Sequence, residues 1–224
     1  MFADFINLIY PNLCLSCDNP LRKGEDIICI KCKLNLPITD YFKNSDNPIS
    51  SKFYGKVKLE YAFSFLHFIK KGSVQKLLHQ LKYSNKPEIG LLLGKWFGNE
   101  LKKIKDLNFD YVIPVPMHPT KLKKRGYNQA DPIAEGISST LNSEWKHNVL
   151  LKVDNTESQT KKGRFDRFKN TEYVFKFNED YSIKNKHVLI VDDVITTGST
   201  LEACAKILIE NGASVSIATL AHAK

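Results

Sequence analysis

His187-Val188-Leu189-Ile190-Val191-Asp192-Asp193-Val194-Ile195-Thr196-Thr197-Gly198-Ser199-Thr200-Leu201 is the stretch that decides how the rest of the chain is read. Val188 to Val191 have the continuous apolar character of a strand buried on both faces. Two carboxylates, Asp192 and Asp193, stand at its C-terminal end, and a hydroxyl-rich turn leads into a helix over 199–211. A turn of Thr196, Thr197, Gly198, Ser199 and Thr200 can aim several backbone N–H groups and hydroxyls at one anion, while Gly198 allows close approach. The N-terminus of the following helix adds about half a positive charge. Helix capping accounts for one such residue, not for a run of this length. The stretch therefore predicts a cradle for a phosphomonoester. Adjacent carboxylates repel, so Asp192 and Asp193 should meet sugar hydroxyls, a magnesium ion or nearby cations.

Around this stretch, strand and helix patterns alternate. Strands are predicted over 62–69, 111–114, 148–152, 188–191 and 214–220, and a short extended piece over 173–177. Helical periodicity marks Val74, Leu77, Leu78 and Leu81, then a second helix opened by Pro87 and running to Leu101, and a third from Ala130 to Leu141. Such alternation argues an α/β fold with a parallel sheet flanked by helices. Gly90, Gly94 and Gly98 lie four apart on the second helix, a spacing that suits close packing against a neighbour. Cys204 falls in the apolar pattern Leu201, Cys204, Leu208 and reads as a small buried hydrophobe.

The first 40 residues differ. They are broken by Pro11, Pro20, Gly24 and Pro37 and carry Cys14-x2-Cys17 and Cys29-x2-Cys32, with eleven residues between the pairs. This spacing suits one tetrahedral zinc held by four thiolates, and with all four protein positions filled the metal is structural. Neither pair is followed closely by glycine, and the interval is shorter than in many ribbons. The organisation expected is a zinc-binding module over 1–40, a linker or hood connection over 41–60, and the main domain over 61–224.

Composition bounds the rest. With 224 residues, 42% hydrophobic and 25% charged, the chain has the make-up of a globular protein, not of a disordered, collagenous or integral-membrane one. Thirty-three Lys and Arg against twenty-four Asp and Glu give a net charge of +9, which attracts polyanions such as phosphorylated small molecules and nucleic acids. Asp4 in the first apolar stretch and the absence of a small-residue cleavage site argue against a signal peptide, and no membrane insertion is expected; the reading is cytoplasmic.

Residues 188–200 resemble the thirteen-residue signature of type I phosphoribosyltransferases. Ile113-Pro114-Val115-Pro116-Met117-His118-Pro119, Lys124-Arg125-Gly126-Tyr127-Asn128-Gln129, and Gln159-Thr160 with Arg164, Arg167 and Asn170 are similar to the ComF family of competence-associated phosphoribosyltransferases, which also begins with a four-cysteine zinc ribbon. The resemblance implies a type I phosphoribosyltransferase fold, phosphoribosyl pyrophosphate as ligand, and magnesium bound with it. It assigns the ribose hydroxyls to Asp192 and Asp193, and the 5′-phosphate to Thr196, Thr197, Gly198, Ser199 and Thr200. It places the pyrophosphate on the loop after the first core strand, the segment 115–125, where Arg125 can grip bidentately and Lys121 adds a point charge. Residues 159–170, with Arg164, match a mobile flap. His118 reads either as a general base or as a loop histidine satisfied by the backbone.

Two functions stay open. One is a magnesium-dependent phosphoribosyltransferase whose acceptor the sequence does not name. The other is a non-catalytic sensor of phosphoribosyl pyrophosphate, or a module for single-stranded DNA or a DNA-uptake helicase, as competence association implies.

Overall fold

A parallel sheet forms around the stretch 187–201. The computed structural model describes residues 11–153 and 174–223. Strand β6 (His187–Ile195) lies near the middle of five parallel strands. It is flanked by β7 (Ser214–Ala223) and β2 (Tyr111–Pro114), with β1 (Ala62–Phe68) outside β7 and the two-residue β3 (Glu144–Trp145) outside β2. β6 registers with β2 from Tyr111↔Val188 to Pro114↔Val191. With β7 it registers from His187↔Ser214 to Ile195↔His222. β3 pairs only with Tyr111 and Val112, so the missing N–H of Pro114 costs no ladder bond on that side.

Helices cover both faces. On one, α2 (Ser73–Tyr83), α3 (Pro87–Leu101) and α5 (Ala130–Leu141) bury Leu77, Leu81, Ile89, Phe97, Ile133 and Ile137 against Phe63, Phe65, Leu189 and Val191. Phe65 and Phe97 stack at 5.1 Å between centroids. On the other face, α6 (Ser199–Glu210) packs Leu201, Cys204 and Leu208 against Val188, Ile190 and Ile217. Cys204 is fully buried there, as its apolar pattern implies. Among the described residues no helix is long and apolar enough to cross a membrane.

Two parts depart from the expected pattern. The strand predicted at 148–152 does not join the parallel sheet: β4 (Leu150–Val153) pairs antiparallel with β5 (Val174–Phe177) in a separate ribbon. Only four residues separate β3 from β4, fewer than the dozen or so that a parallel crossover needs. The basic segment 115–125, read as part of a loop, contains a helix, α4 (Pro119–Arg125), with His118 as N-cap and Gly126 in the left-handed region after it. Residues 41–60 pack into the core: Ile49 and the 3₁₀ helix Ser50–Phe53 bury side chains under α6, and the Asn47 amide bonds the carbonyls of Tyr41, Asn44 and Ala62. Just before them, residues 37–39 close the outer edge of β1. Thr39 N–H donates to Phe65 O at 2.8 Å, and His67 N–H to Pro37 O at 2.8 Å.

The glycine row on α3 packs on α5 as its spacing predicts. A Cβ at Gly94 would strike the Ile133 carbonyl oxygen, and one at Gly136 would lie 2.5 Å from Leu91 O and 2.8 Å from Lys95 N. These are backbone atoms held in helices. Gly94→Ala gains about 1 kcal/mol of helix propensity. Overpacking costs about 1–3 kcal/mol, and a rigid carbonyl places this site at the upper end. We predict a melting temperature about 5 °C lower for Gly94→Ala by differential scanning calorimetry; an unchanged or raised value would show that the helices can separate freely.

Candidate functional site

β2 and β6 are neighbours whose successors leave in opposite directions, β3 to one side and β7 to the other. Their carboxyl ends therefore flank a topological switch point, the place where open α/β sheets leave a crevice. Both segments singled out in the sequence emerge there: 115–125 after β2 and 196–200 after β6.

The turn after β6 is small and tightly held. Gly198 has φ +85°, and a Cβ on it would lie 2.9 Å from Phe53 Cζ, so both backbone conformation and the aromatic floor require glycine. Gly198 O starts α6 by accepting from Glu202 N–H at 2.9 Å. The N–H groups of Ser199, Thr200 and Leu201 belong to the first turn and have no intrahelical acceptor. Thr197 Oγ1 lies 3.2 Å from Ser199 Oγ. Asp192 and residues 194–201 line a concavity of about 60 Å³. That is the scale of a subsite for one polar group, well below the roughly 300 Å³ at which whole-ligand pockets begin.

The strand continues past its apolar run, so Asp192 and Asp193 are its sixth and seventh residues and not part of the turn. Strand alternation sends them to opposite faces. On the α2 face, Lys82 Nζ sits 2.9 Å from Asp193 Oδ2, with the two side chains 27% and 12% exposed. On the α6 face, Asp192 acts electrostatically on Cys204 and on Lys152 of β4. Asp192 Oδ1 accepts the N–H of Asp193 at 2.8 Å. Burial first, and then the neighbouring Asp193 charge, push the Asp192 carboxyl up to about 7, against the opposing pull of that N–H, Lys82 and Lys152.

The basic helix reaches the same region. Lys121 lowers the pKa of Lys152, adding to the larger effect of burial. One turn on, Arg125 stacks over the Tyr83 ring at 5.2 Å. His118 is buried, and its Nδ1 accepts the N–H of Thr120 at 3.2 Å, so it is tied to the backbone as a helix cap. Asn128 holds the turn beyond α4 to β2 by donating to Val115 O at 3.0 Å. Arg164 and the rest of the flap segment 159–170 lie outside the described residues. The hydroxyl-rich turn, the acidic pair and Lys121 thus share one end of the sheet, whereas Arg125 engages α2. Lys82, Lys152 and Phe53 were not legible as site residues. Their only sequence signal is a position near the end of an apolar helix, in a strand, and in a presumed linker.

The four cysteines form a second constellation. Their sulfurs lie within 4.8 Å of one another, and Cys17 and Cys29 are 3.8 Å apart. A tetrahedron with about 2.3 Å zinc–sulfur bonds has edges of about 3.8 Å, so the donor set fits that metal. Cys14 and Cys17 lie on a turn closed by the Leu13–Pro20 bridge, while Cys29 caps α1 (Ile30–Leu34) and Cys32 sits in its first turn. Burial raises the Cys14 thiol pKa, but N–H groups of Cys29, Cys17 and Ser16 outweigh it and bring the value to about 7. The cluster docks on α2 through Lys76–Asp18 and through Gln80, which donates to Leu15 O.

With this geometry in view, residues 122–224 match the phosphoribosyl transferase domain family. The sheet, the motif and this match define a type I phosphoribosyltransferase fold preceded by a four-cysteine module. The chain is similar to proteins named for competence and DNA utilization. DNA utilization protein YhgH of Escherichia coli O157:H7 is 31% identical over 142 residues, 62% of each chain, so the match spans under two thirds of that relative. Competence protein F of Haemophilus influenzae is 26% identical over 209 residues, 87% of this chain and 90% of the relative. Competence protein ComFC of Bacillus subtilis is 26% identical over 146 residues, 65% of this chain and 58% of its own. Among solved structures, a glutamine phosphoribosylpyrophosphate amidotransferase from B. subtilis is similar at TM-score 0.42 and 19% identity, over 63% of this chain and 30% of that one. A hypoxanthine phosphoribosyltransferase from Staphylococcus aureus is similar at 0.38 and 17%, over 62% and 68%.

The raised Asp192 carboxyl predicts a pH-dependent stability. An unfolded aspartate titrates near 3.9, so between about 4 and 7 the folded chain retains a proton that the unfolded chain has released, and stability falls as pH rises through that window. Asp192→Asn removes the effect. The ligand-free variant should melt higher than the wild type at pH 8, with a smaller gain at pH 5; equal gains would show that this carboxyl titrates normally.

Proposed function

We propose that the protein binds phosphoribosyl pyrophosphate with magnesium in the crevice at the ends of β2 and β6 and transfers its phosphoribosyl group to an acceptor. The observation that carries this reading is the hydroxyl-rich turn 196–200 at the N-terminus of α6, one residue pair beyond two carboxylates that face opposite sides of the sheet. Residues 196–200 would hold the 5′-phosphate through backbone N–H groups and hydroxyls, at the positive end of the α6 dipole. Asp192 and Asp193 would accept from the ribose hydroxyls, and their charge would favour a cationic sugar when the anomeric bond to pyrophosphate breaks. Lys121, and Arg125 if it leaves Tyr83, would meet the departing pyrophosphate together with Arg164. Magnesium bound with the ligand would supply neutralising charge to the departing pyrophosphate. The names of the relatives support a role in competence and DNA utilization.

The test is calorimetric titration of phosphoribosyl pyrophosphate with magnesium into the wild type and an Asp192→Asn/Asp193→Asn variant. We expect binding in the former and at least a tenfold weaker response in the latter, as for loss of charge-assisted hydrogen bonds of about 1.5–3 kcal/mol each. No binding to the folded wild type would overturn the reading.

A second reading is favoured by one patch. Tyr83 is 67% exposed, with the His79 ring at 4.8 Å and the Arg125 guanidinium over its face, beside the lysines of α4. An aromatic ring amid cations suits stacking of a base from single-stranded DNA, with a DNA-uptake helicase as the partner that would present the strand. Such binding should weaken steeply between 50 and 200 mM salt, whereas Tyr83→Ala should weaken it at every salt concentration.

The cysteine cluster is proposed to hold one structural zinc that organises the module over 1–40 ahead of the transferase domain over 61–224. Metal analysis should find about one zinc per chain. Cys29→Ser should lose the metal and lower the melting temperature. Full stability after exhaustive chelation would contradict a structural role.

A further inference from the structure

We infer that Lys82 is a positioning residue that makes the acidic pair selective for a ribose over a deoxyribose; the inference rests on the reading of the crevice as a phosphoribosyl pyrophosphate site. Lys82 comes from α2, outside the segment 122–224 that matches the transferase domain. It nevertheless places a cation on the motif's acidic pair, 2.9 Å from Asp193 Oδ2.

The hydrogen bonds divide the carboxylate oxygens in a definite way. Oδ2 of Asp193 is held by Lys82, and Oδ1 of Asp192 is held by the N–H of Asp193. Among the described residues, each carboxylate thus has one oxygen engaged by the protein and one left for a ligand. A vicinal diol presents two O–H donors side by side and needs two acceptors set at a fixed separation. Rotation about the terminal torsion of an aspartate is broad, so an unrestrained Asp193 would sample positions that serve one hydroxyl poorly. Lys82 removes that freedom, and its last-turn position on α2 is itself steadied by the docking of Gln80 and Lys76 on the cysteine module. The ammonium also sets a positive charge 2.9 Å from a carboxylate whose sequence neighbour is a second carboxylate.

The same geometry permits the opposite behaviour, in which Lys82 occupies Asp193 and must be displaced by the ligand. The sign of one measurement separates the two. Ribose 5-phosphate and 2-deoxyribose 5-phosphate share the phosphate and differ by one hydroxyl, so the ratio of their dissociation constants reports the acidic pair and not the phosphate turn.

In the wild type we expect ribose 5-phosphate to bind about tenfold more tightly than its deoxy analogue, the usual effect of one hydrogen bond to a charged group. In Lys82→Met the ratio should fall to within about twofold, with the affinity for inorganic phosphate unchanged, and Lys82→Arg should restore most of it. Lys82→Gln provides the same comparison if the methionine variant does not fold. A ratio retained in the uncharged variants, or tighter binding of ribose 5-phosphate by them, overturns the inference while leaving the site reading intact. Failure of the folded wild type to bind either sugar phosphate removes the site reading and the inference together.

Discussion

Two carboxylates on consecutive residues at the end of a buried strand are an electrostatic cost that the surrounding structure must offset. The offset comes from three directions. Lys82 reaches Asp193 from α2, Lys152 influences Asp192 from β4, and the backbone N–H of Asp193 binds the Asp192 carboxylate. None of these removes the burden fully, since Asp192 remains pushed up to about 7 by burial and by its neighbour. A ligand with hydroxyl donors would complete the arrangement, which is how binding sites commonly trade stability for function.

α2 links the chain's two chemical centres. One stretch of it packs Leu77, Leu78 and Leu81 into the core shared with Cys14, Ile28 and Cys29. Its polar face carries Lys76 and Gln80 to the cysteine module, and its last turn carries Lys82 to the acidic pair. The cysteine module and the carboxylates are thus both anchored on a single short helix.

Much of this was legible in the sequence because it is local. The period of Val74, Leu77, Leu78 and Leu81 marks α2, and Ala130–Leu141 has the bounds the pattern predicts, since apolar periodicity is set by the core each helix covers. The glycines of α3 announce the close crossing with α5. What was not legible depends on partners distant in sequence. A lysine in the last turn of a helix reads as a solvated charge until the fold places it 2.9 Å from a residue more than a hundred positions later. β4 reads as one more parallel strand because the pattern of a short apolar strand does not encode its neighbour. Pro119 to Arg125 read as a loop because charge outweighs periodicity over seven residues, although Pro119 and Gly126 are a helix start and stop.

Phe53 under Gly198 and residues 37–39 along β1 give the segment before the main domain a role that polar composition hides. A fragment cut at residue 61 would begin with the exposed backbone of β1, an open strand edge able to recruit a second molecule. It would also have lost the aromatic floor on which the turn at Gly198 rests. In such a fragment self-association and a slack turn at Gly198 would arise together, so the smallest unit suited to engineering or crystallisation extends at least back to Pro37.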